Sequence, residues 1–199
     1  MEDGGAVWRL FVAVSLPDEV KNEIENAQKE MRGALPGNVV RWTRREQFHL
    51  TLKFLGNVAA SRVAELTEVL REACRPFNAL RLRAERIGFF PDLRFPRVAW
   101  VGVNDDKNHL PELQAAIETS VRQFTDERAE KNFTGHITLG RIQSIKRPQA
   151  EILSKLALGK AERFFGGWMA DKVELIRSEL SSSGSRYTTV ATIPLSEIS

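Results

Sequence analysis

The sequence predicts an α+β fold of two lobes arranged around a central cleft. Three observations carry that expectation. Short strand-like and helical stretches follow one another without regular strand–helix–strand units, which points to antiparallel pairing. One strand pattern, His-x-Thr running into apolar residues and a glycine, occurs at His49 and again 87 residues later at His136. A chain of 199 residues, 42% apolar and 28% charged, is long enough for one core or for two small lobes sharing one. The whole chain, 1–199, is therefore expected to be a single domain whose lobes each supply one copy of the strand, as a rough duplication would leave them.

Residues 7–16 read as a buried strand. Pro17 and Asp18 open a helix to about Gly33, with Val20, Ile24, Ala27 and Met31 at helical spacing. Pro36-Gly37-Asn38 is a turn, and residues 39–42 form a short strand leading to the first motif. A second helix is expected over 61–75, with Ser61 as its cap and Val63, Leu66, Val69 and Leu70 on one face. Leu80, Leu82, Ala84 and Ile87 alternate as a strand does, and a loop follows at Phe89-Phe90-Pro91. A strand over 97–103 and a helix over 111–124 precede the second motif at 134–142. A helix over 149–158 and strands over 163–169, 171–178 and 186–193 close the chain. Cys74 stands alone, so no disulfide within the chain and no Cys-based zinc site is possible; it is expected to be a small buried residue of its helix.

In a strand, residues two apart share a face. His49 and Thr51 then point one way while Leu50 and Leu52 enter the core, and His136 with Thr138 repeats this against Ile137 and Leu139. A lone His-x-Thr is most often an ordinary strand face. Here the chain has three histidines and ten threonines, and two of the histidines carry Thr at i+2, a coincidence of roughly 1%. Two imidazoles on one cleft suit paired acid and base work, since their ordinary pKa of about 6.5 lets one be neutral and the other charged. Threonine hydroxyls can hold a phosphate oxygen as charge grows on it.

Other chemistries lack support. Neither motif carries the extra acidic or His ligands that a metal site needs, and Glu46 is the nearest carboxylate. There is no phosphate-binding Gly-x-x-x-x-Gly-Lys-Ser/Thr loop and no Gly-x-Ser-x-Gly nucleophile. The net charge is only +3, but Arg41, Arg44, Arg45 and Lys53 surround the first motif, and Arg141, Lys146 and Arg147 follow the second. Local positive charge of this kind suits an anionic substrate. The longest apolar run, residues 10–16, is far too short to span a bilayer, and the acidic start lacks the basic region of a secretory signal. A monomer in the cytoplasm, free of membrane, metal and cofactor, is expected.

The paired motifs resemble the signature of the 2H phosphoesterase superfamily, and are most similar to its RNA 2′,3′-cyclic phosphodiesterases of the LigT type, once called 2′-5′ RNA ligases. The resemblance spans nearly the whole chain: residues 9–14 with Leu16-Pro17, Arg41-Trp42 ahead of residues 48–56, residues 96–103, residues 136–141, and Ser178-x-Leu180 through Gly184 to Tyr187-Thr188. One departure is Gly135, where the family usually has proline; glycine frees the backbone there, so a looser or differently entered cleft is expected. The resemblance implies the bilobal fold of that superfamily, with outer helices. It also implies hydrolysis of a 2′,3′-cyclic phosphate on an RNA end or small cyclic nucleotide to a 2′-phosphate. His49 would be the proton donor and His136 the acceptor, with Thr51 and Thr138 on the phosphate oxygens and Arg141 and Tyr187 beside the substrate. Reversible 2′-5′ ligation follows from the same chemistry. His109 is expected at a helix start with no catalytic part. Phe48, Trp42 and Phe90 could stack on a base but are more simply core. The competing expectations are a non-catalytic binder of RNA ends and a phosphodiesterase for another cyclic or 2′,5′-linked nucleotide.

Overall fold

The computed structural model describes residues 5–35, 39–129, 132–143, 145, 147–159, 162–181 and 184–197. The turn expected at 36–38 lies outside them, as do Lys146 and the side chain of Arg147. In chain order the elements are β1 (Val7–Ser15), α1 (Asp18–Ala34), β2 (Val40–Trp42), β3 (His49–Ala59), α2 (Val63–Cys74), β4 (Leu80–Phe90) and β5 (Val98–Asp105). There follow α3 (His109–Ser120), β6 (His136–Ile142), α4 (Arg147–Leu158), β7 (Phe164–Ala170), β8 (Lys172–Ser181) and β9 (Gly184–Pro194).

Among the described residues all the named strands join one antiparallel sheet in the order β7-β4-β5-β6-β3-β1-β8-β9, with β2 on β6. The two motif strands, β3 and β6, lie side by side at its centre. They share a single paired position, Leu50 with Ile137, whereas every neighbouring pair of long strands shares four or more. The sheet thus divides at that rung into two four-stranded halves, β3-β1-β8-β9 and β6-β5-β4-β7.

The helices cross between these halves. α1 leaves β1 but packs on β7 of the other half, while α3 leaves β5 and packs back on β3. Each buries the apolar stripe its spacing requires: Val20, Ile24, Ala27 and Met31 in α1, and Leu110, Leu113 and Ile117 in α3. No described helix is long and apolar enough to cross a membrane. Cys74 is fully buried at the end of α2, and burial pushes its thiol up to about 12, so it is inert.

Several local expectations are corrected. Ser61 does not cap α2; it sits in a short 3₁₀ turn, residues 60–62, that runs directly into the helix. β4 continues through Phe89 and Phe90, so the loop starts at Pro91. The third helix begins two residues earlier than Pro111 and is split, ending at Ser120 with a 3₁₀ turn over 122–124. Its start is satisfied by Asp105, whose carboxylate accepts the backbone N–H groups of His109 and Leu110.

Candidate active site

The register of β3 against β6 assembles the site. With Leu50 opposite Ile137, one step either way in an antiparallel pair sets His49 opposite Thr138 and Thr51 opposite His136. Directly opposed residues share a face. Leu50 and Ile137 are fully buried on one side, which leaves both imidazoles and both hydroxyls together on the other.

Each histidine is held in the same way. His49 Nδ1–H donates to the carbonyl of Gln47, and His136 Nδ1–H donates to the carbonyl of Thr134, both at 2.7 Å and both two residues upstream. A carbonyl can only accept, so Nδ1 carries the proton in both rings and Nε2 is the nitrogen left for chemistry. The rings are braced by aromatics. His49 lies against Phe11 (4.9 Å between centroids) and edge-on to Tyr187 (5.4 Å), and His136 lies edge-on to Phe90 (5.0 Å) near Trp100 (6.4 Å). Phe90 therefore belongs to the cleft. Phe48 is core, and Trp42 packs partly buried against the core beside Gly140. His109 is exposed at the start of α3.

Both motif strands bulge at the same place. Opposite β1, Thr51 and Lys53 face Ala13 and Val12, so Leu52 is extra; opposite β5, Thr138 and Gly140 face Trp100 and Ala99, so Leu139 is extra. The bulge reverses the alternation and returns Phe54 and Arg141, each five residues after its histidine, to the face of the threonines. The sequence reading missed this for Phe54, which is 53% exposed, because the residue buried out of turn is the charged Lys53 and nothing in the pattern marks it.

Buried glutamines from the crossing helices donate to the carbonyls of both bulge residues, that of Leu139 also accepting the Thr43 N–H at 2.9 Å. Gln28 Nε2 of α1 donates to Leu139 O (2.9 Å) and to Thr43 O (2.7 Å). Gln114 Nε2 of α3 donates to Leu52 O (3.3 Å). Each half thus lends a helix to hold the other half's motif strand.

Gly135 is set by contact. A Cβ there would lie 2.5 Å from the carbonyl oxygen of Val103, and that residue's N–H donates to Gly135 O at 2.8 Å. The expectation of a looser cleft is replaced by one of close backbone approach. The basic cluster also needs correction. Lys53 is buried in an ion pair with Glu118 (2.8 Å), and Arg45 is bound to Asp18 and Asn22. Of the cations expected near the motifs, Arg41, Arg44 and Arg141 are exposed. Tyr187 lies edge-on to His49, and burial raises its phenol pKa against the opposing charges of Arg141 and Arg9.

Burial lowers the pKa of His49 from 6.5 to about 4, the positive charges of His136 and Lys21 add to this, and the Gln47 carbonyl opposes it. The unfolded chain therefore binds a proton here that the native state refuses between those two values. The stabilising contribution is complete above pH 6.5 and is lost as pH falls towards 4. Urea unfolding of His49→Gln beside the parent is expected to show a shallower loss of stability over pH 6.5–4; identical slopes would contradict it. Among the described residues no cluster of three metal-ligating side chains occurs.

Comparison with known proteins gives the family. A family model described as LigT-like phosphoesterase matches residues 14–100. An RNA 2′,3′-cyclic phosphodiesterase of Aquifex aeolicus is 30% identical over 185 residues, covering 92% of this chain and 95% of that protein. A crystal structure from Thermus thermophilus superimposes with a TM-score of 0.76 at 27% identity, over 95% of this chain and 98% of that one. Escherichia coli LigT complexed with 3′-AMP gives 0.75 at 22% identity, over 96% and 100%. With its fold, its paired motif strands and a relative matched almost end to end, this chain belongs to the LigT-like phosphoesterase family.

Proposed function

We propose that the protein hydrolyses 2′,3′-cyclic phosphate on RNA ends or nucleotides to a 2′-phosphate, by paired histidine acid–base catalysis. The observation that carries this reading is the pair of imidazoles pinned through Nδ1, one beside each threonine, across one rung of the sheet. Water attacks phosphorus opposite the 3′ oxygen, His136 Nε2 takes the water proton, and His49 Nε2–H gives a proton to the departing 3′ oxygen. Thr51 and Thr138 donate to the non-bridging oxygens, where charge grows in the transition state. Arg141 faces the same cleft as a cation for the substrate, and the exposed ring of Phe54 offers a stacking surface. With a 5′-hydroxyl in place of water the same steps join two RNA ends through a 2′,5′ linkage.

The relatives' names support the substrate class. The test is incubation of the purified protein, in EDTA, with a nucleoside 2′,3′-cyclic phosphate and with an RNA ending in one, followed by separation of the 2′- and 3′-phosphates. A 2′-phosphate product formed in EDTA is expected. A 3′-phosphate would reverse the geometry of attack, and binding without turnover would leave a non-catalytic RNA-end protein.

A further inference from the structure

Strand β4 carries an extra residue opposite β5. Glu85 faces Gly102 and Ile87 faces Val101, which leaves Arg86 between them as a bulge. Arg86 holds a left-handed backbone, φ 52°, which a bulky side chain rarely adopts. Its N–H donates to the carbonyl of Arg163 at 2.8 Å, which fixes the bulge from the start of β7. The side chain is then laid across the sheet. Arg86 Nε lies 3.3 Å from where a Cβ on Gly102 would be, and the ring of Trp100 comes to 3.4 Å of the same point. Glycine at 102 leaves room for both.

Gly102 is directly opposed to His136 on β6. Opposed residues share a face, so the side chain of Arg86 lies on the cleft side, about 4.8 Å or one strand spacing outward from His136. It stands on the far side of His136 from β3 and His49. Arg86 is exposed, and among the described residues its guanidinium has no hydrogen-bond or ion-pair partner. The neighbouring carboxylate, Glu85, is taken by Asn104 at 3.0 Å and by Arg83 at 3.6 Å. Opposite Glu85 on β7 is Phe164, 53% exposed, with Arg83 over one face of its ring. A free cation followed by an open aromatic ring is the arrangement that tracks a single nucleic-acid strand.

In the in-line reaction the departing 3′ oxygen is at His49 and the attacking oxygen is at His136. Whatever the attacking oxygen carries therefore extends past His136 towards Arg86. Water carries nothing that far, whereas a 5′-hydroxyl carries a ribose and, after it, a 3′-phosphate. We propose that Arg86 binds that 3′-phosphate and so forms a subsite for the 5′-hydroxyl strand on the outer side of His136. In the step it favours, the 5′ oxygen bonds to phosphorus and gives its proton to His136. The bond from phosphorus to the 3′ oxygen breaks, that oxygen takes the proton of His49, and a 2′,5′ linkage is left. The inference rests on the cyclic phosphodiesterase reading above and adds to it an acceptor preference and a residue, Arg86.

The test supplies a nucleoside 2′,3′-cyclic phosphate with an excess of one of two acceptors, a nucleoside or the same nucleoside 3′-phosphate, and reads the ratio of joined to hydrolysed product. Competition for the cyclic-phosphate site slows both routes equally and leaves that ratio unchanged. In the parent the 3′-phosphate is expected to raise the ratio at least about tenfold over the plain nucleoside, the effect of one charged hydrogen bond. Arg86→Gly should erase the preference. The preference should fall with salt in the parent, with a log–log slope of about −0.7, and be flat in the variant. Glycine suits the left-handed backbone, so the variant's melting temperature should not fall below the parent's. Equal ratios in the parent, an undiminished preference in Arg86→Gly, or no joined product from either acceptor overturns the subsite.

If the parent neither hydrolyses nor joins the cyclic phosphate, the proposed function fails. The subsite is then judged by calorimetry with a 2′,5′-linked dinucleoside monophosphate against the same molecule carrying a phosphate on the 3′ oxygen of its second nucleoside. About tenfold tighter binding of the phosphorylated molecule by the parent, lost in Arg86→Gly, would uphold it, and equal affinities would reject it.

Discussion

Alanine at either His49 or His136 is expected to lower kcat at pH 7 by about 10²–10⁴-fold, the usual worth of one positioned proton transfer. Combining the two should cost far less than the product of the single losses, because the groups act as one unit. The two roles separate with an aryl phosphodiester such as bis(p-nitrophenyl) phosphate, whose phenolate leaves without a proton. His49→Ala, lacking only the donor, should keep its rate on the aryl ester within about tenfold of the parent, while His136→Ala should remain impaired. The opposite pattern would exchange the assignments. Full activity of either variant on the cyclic phosphate would end the paired-histidine mechanism.

A donor must hold its proton, and His49, with a pKa of about 4, is neutral at pH 7 in the empty cleft. As the proposed donor, His49 would take up its proton with the substrate. A phosphate seated between the rings places negative charge against His49 and opposes the desolvation that keeps it neutral. Binding of a nucleoside 3′-phosphate should take up protons near pH 6–7 and tighten as pH falls. Calorimetry in two buffers of different ionisation enthalpy reads this directly, and zero uptake would move the donor role away from His49.

The motif strands were legible because their signal is local. A period of two places His49 with Thr51 and Leu50 with Leu52 whatever the tertiary structure does, and the second copy at His136 made accident improbable. The same locality explains the failures. Lys53 reads as a cleft cation from its distance to His49, but the bulge at Leu52 turns it into the core. That bulge is stabilised by Gln114, 62 positions along the chain, and its twin by Gln28, 111 positions before Leu139. Gly135 looked like freedom in the sequence, whereas the carbonyl of Val103, which forbids a side chain, comes from another strand. The exchange of α1 and α3 between halves is likewise a non-local choice that no helical periodicity encodes.

Lys53 carries the second large effect. Its side chain is 5% exposed, and its ammonium donates to Glu118 Oε1 at 2.8 Å and to the backbone carbonyl of Arg128 at 3.2 Å, while Gln114 reaches the other carboxylate oxygen at 3.4 Å. Lys53→Ala would leave Glu118 buried without its counter-ion, and breaking a buried pair from one side costs about 3–5 kcal/mol. For a chain of this size that is a fall in melting temperature of roughly 6–20 °C. Removing both charges is a different case, since a buried pair replaced by apolar residues of similar volume is often neutral or stabilising. Lys53→Met with Glu118→Leu should therefore recover most of the loss in urea unfolding. Recovered stability need not restore activity, because Lys53 also holds the backbone near Glu127 and Arg128, which line the cleft beside Thr51 and His136. A Lys53→Ala variant within about 1 kcal/mol of the parent would show that water reaches Glu118 and that the pair is not buried in solution.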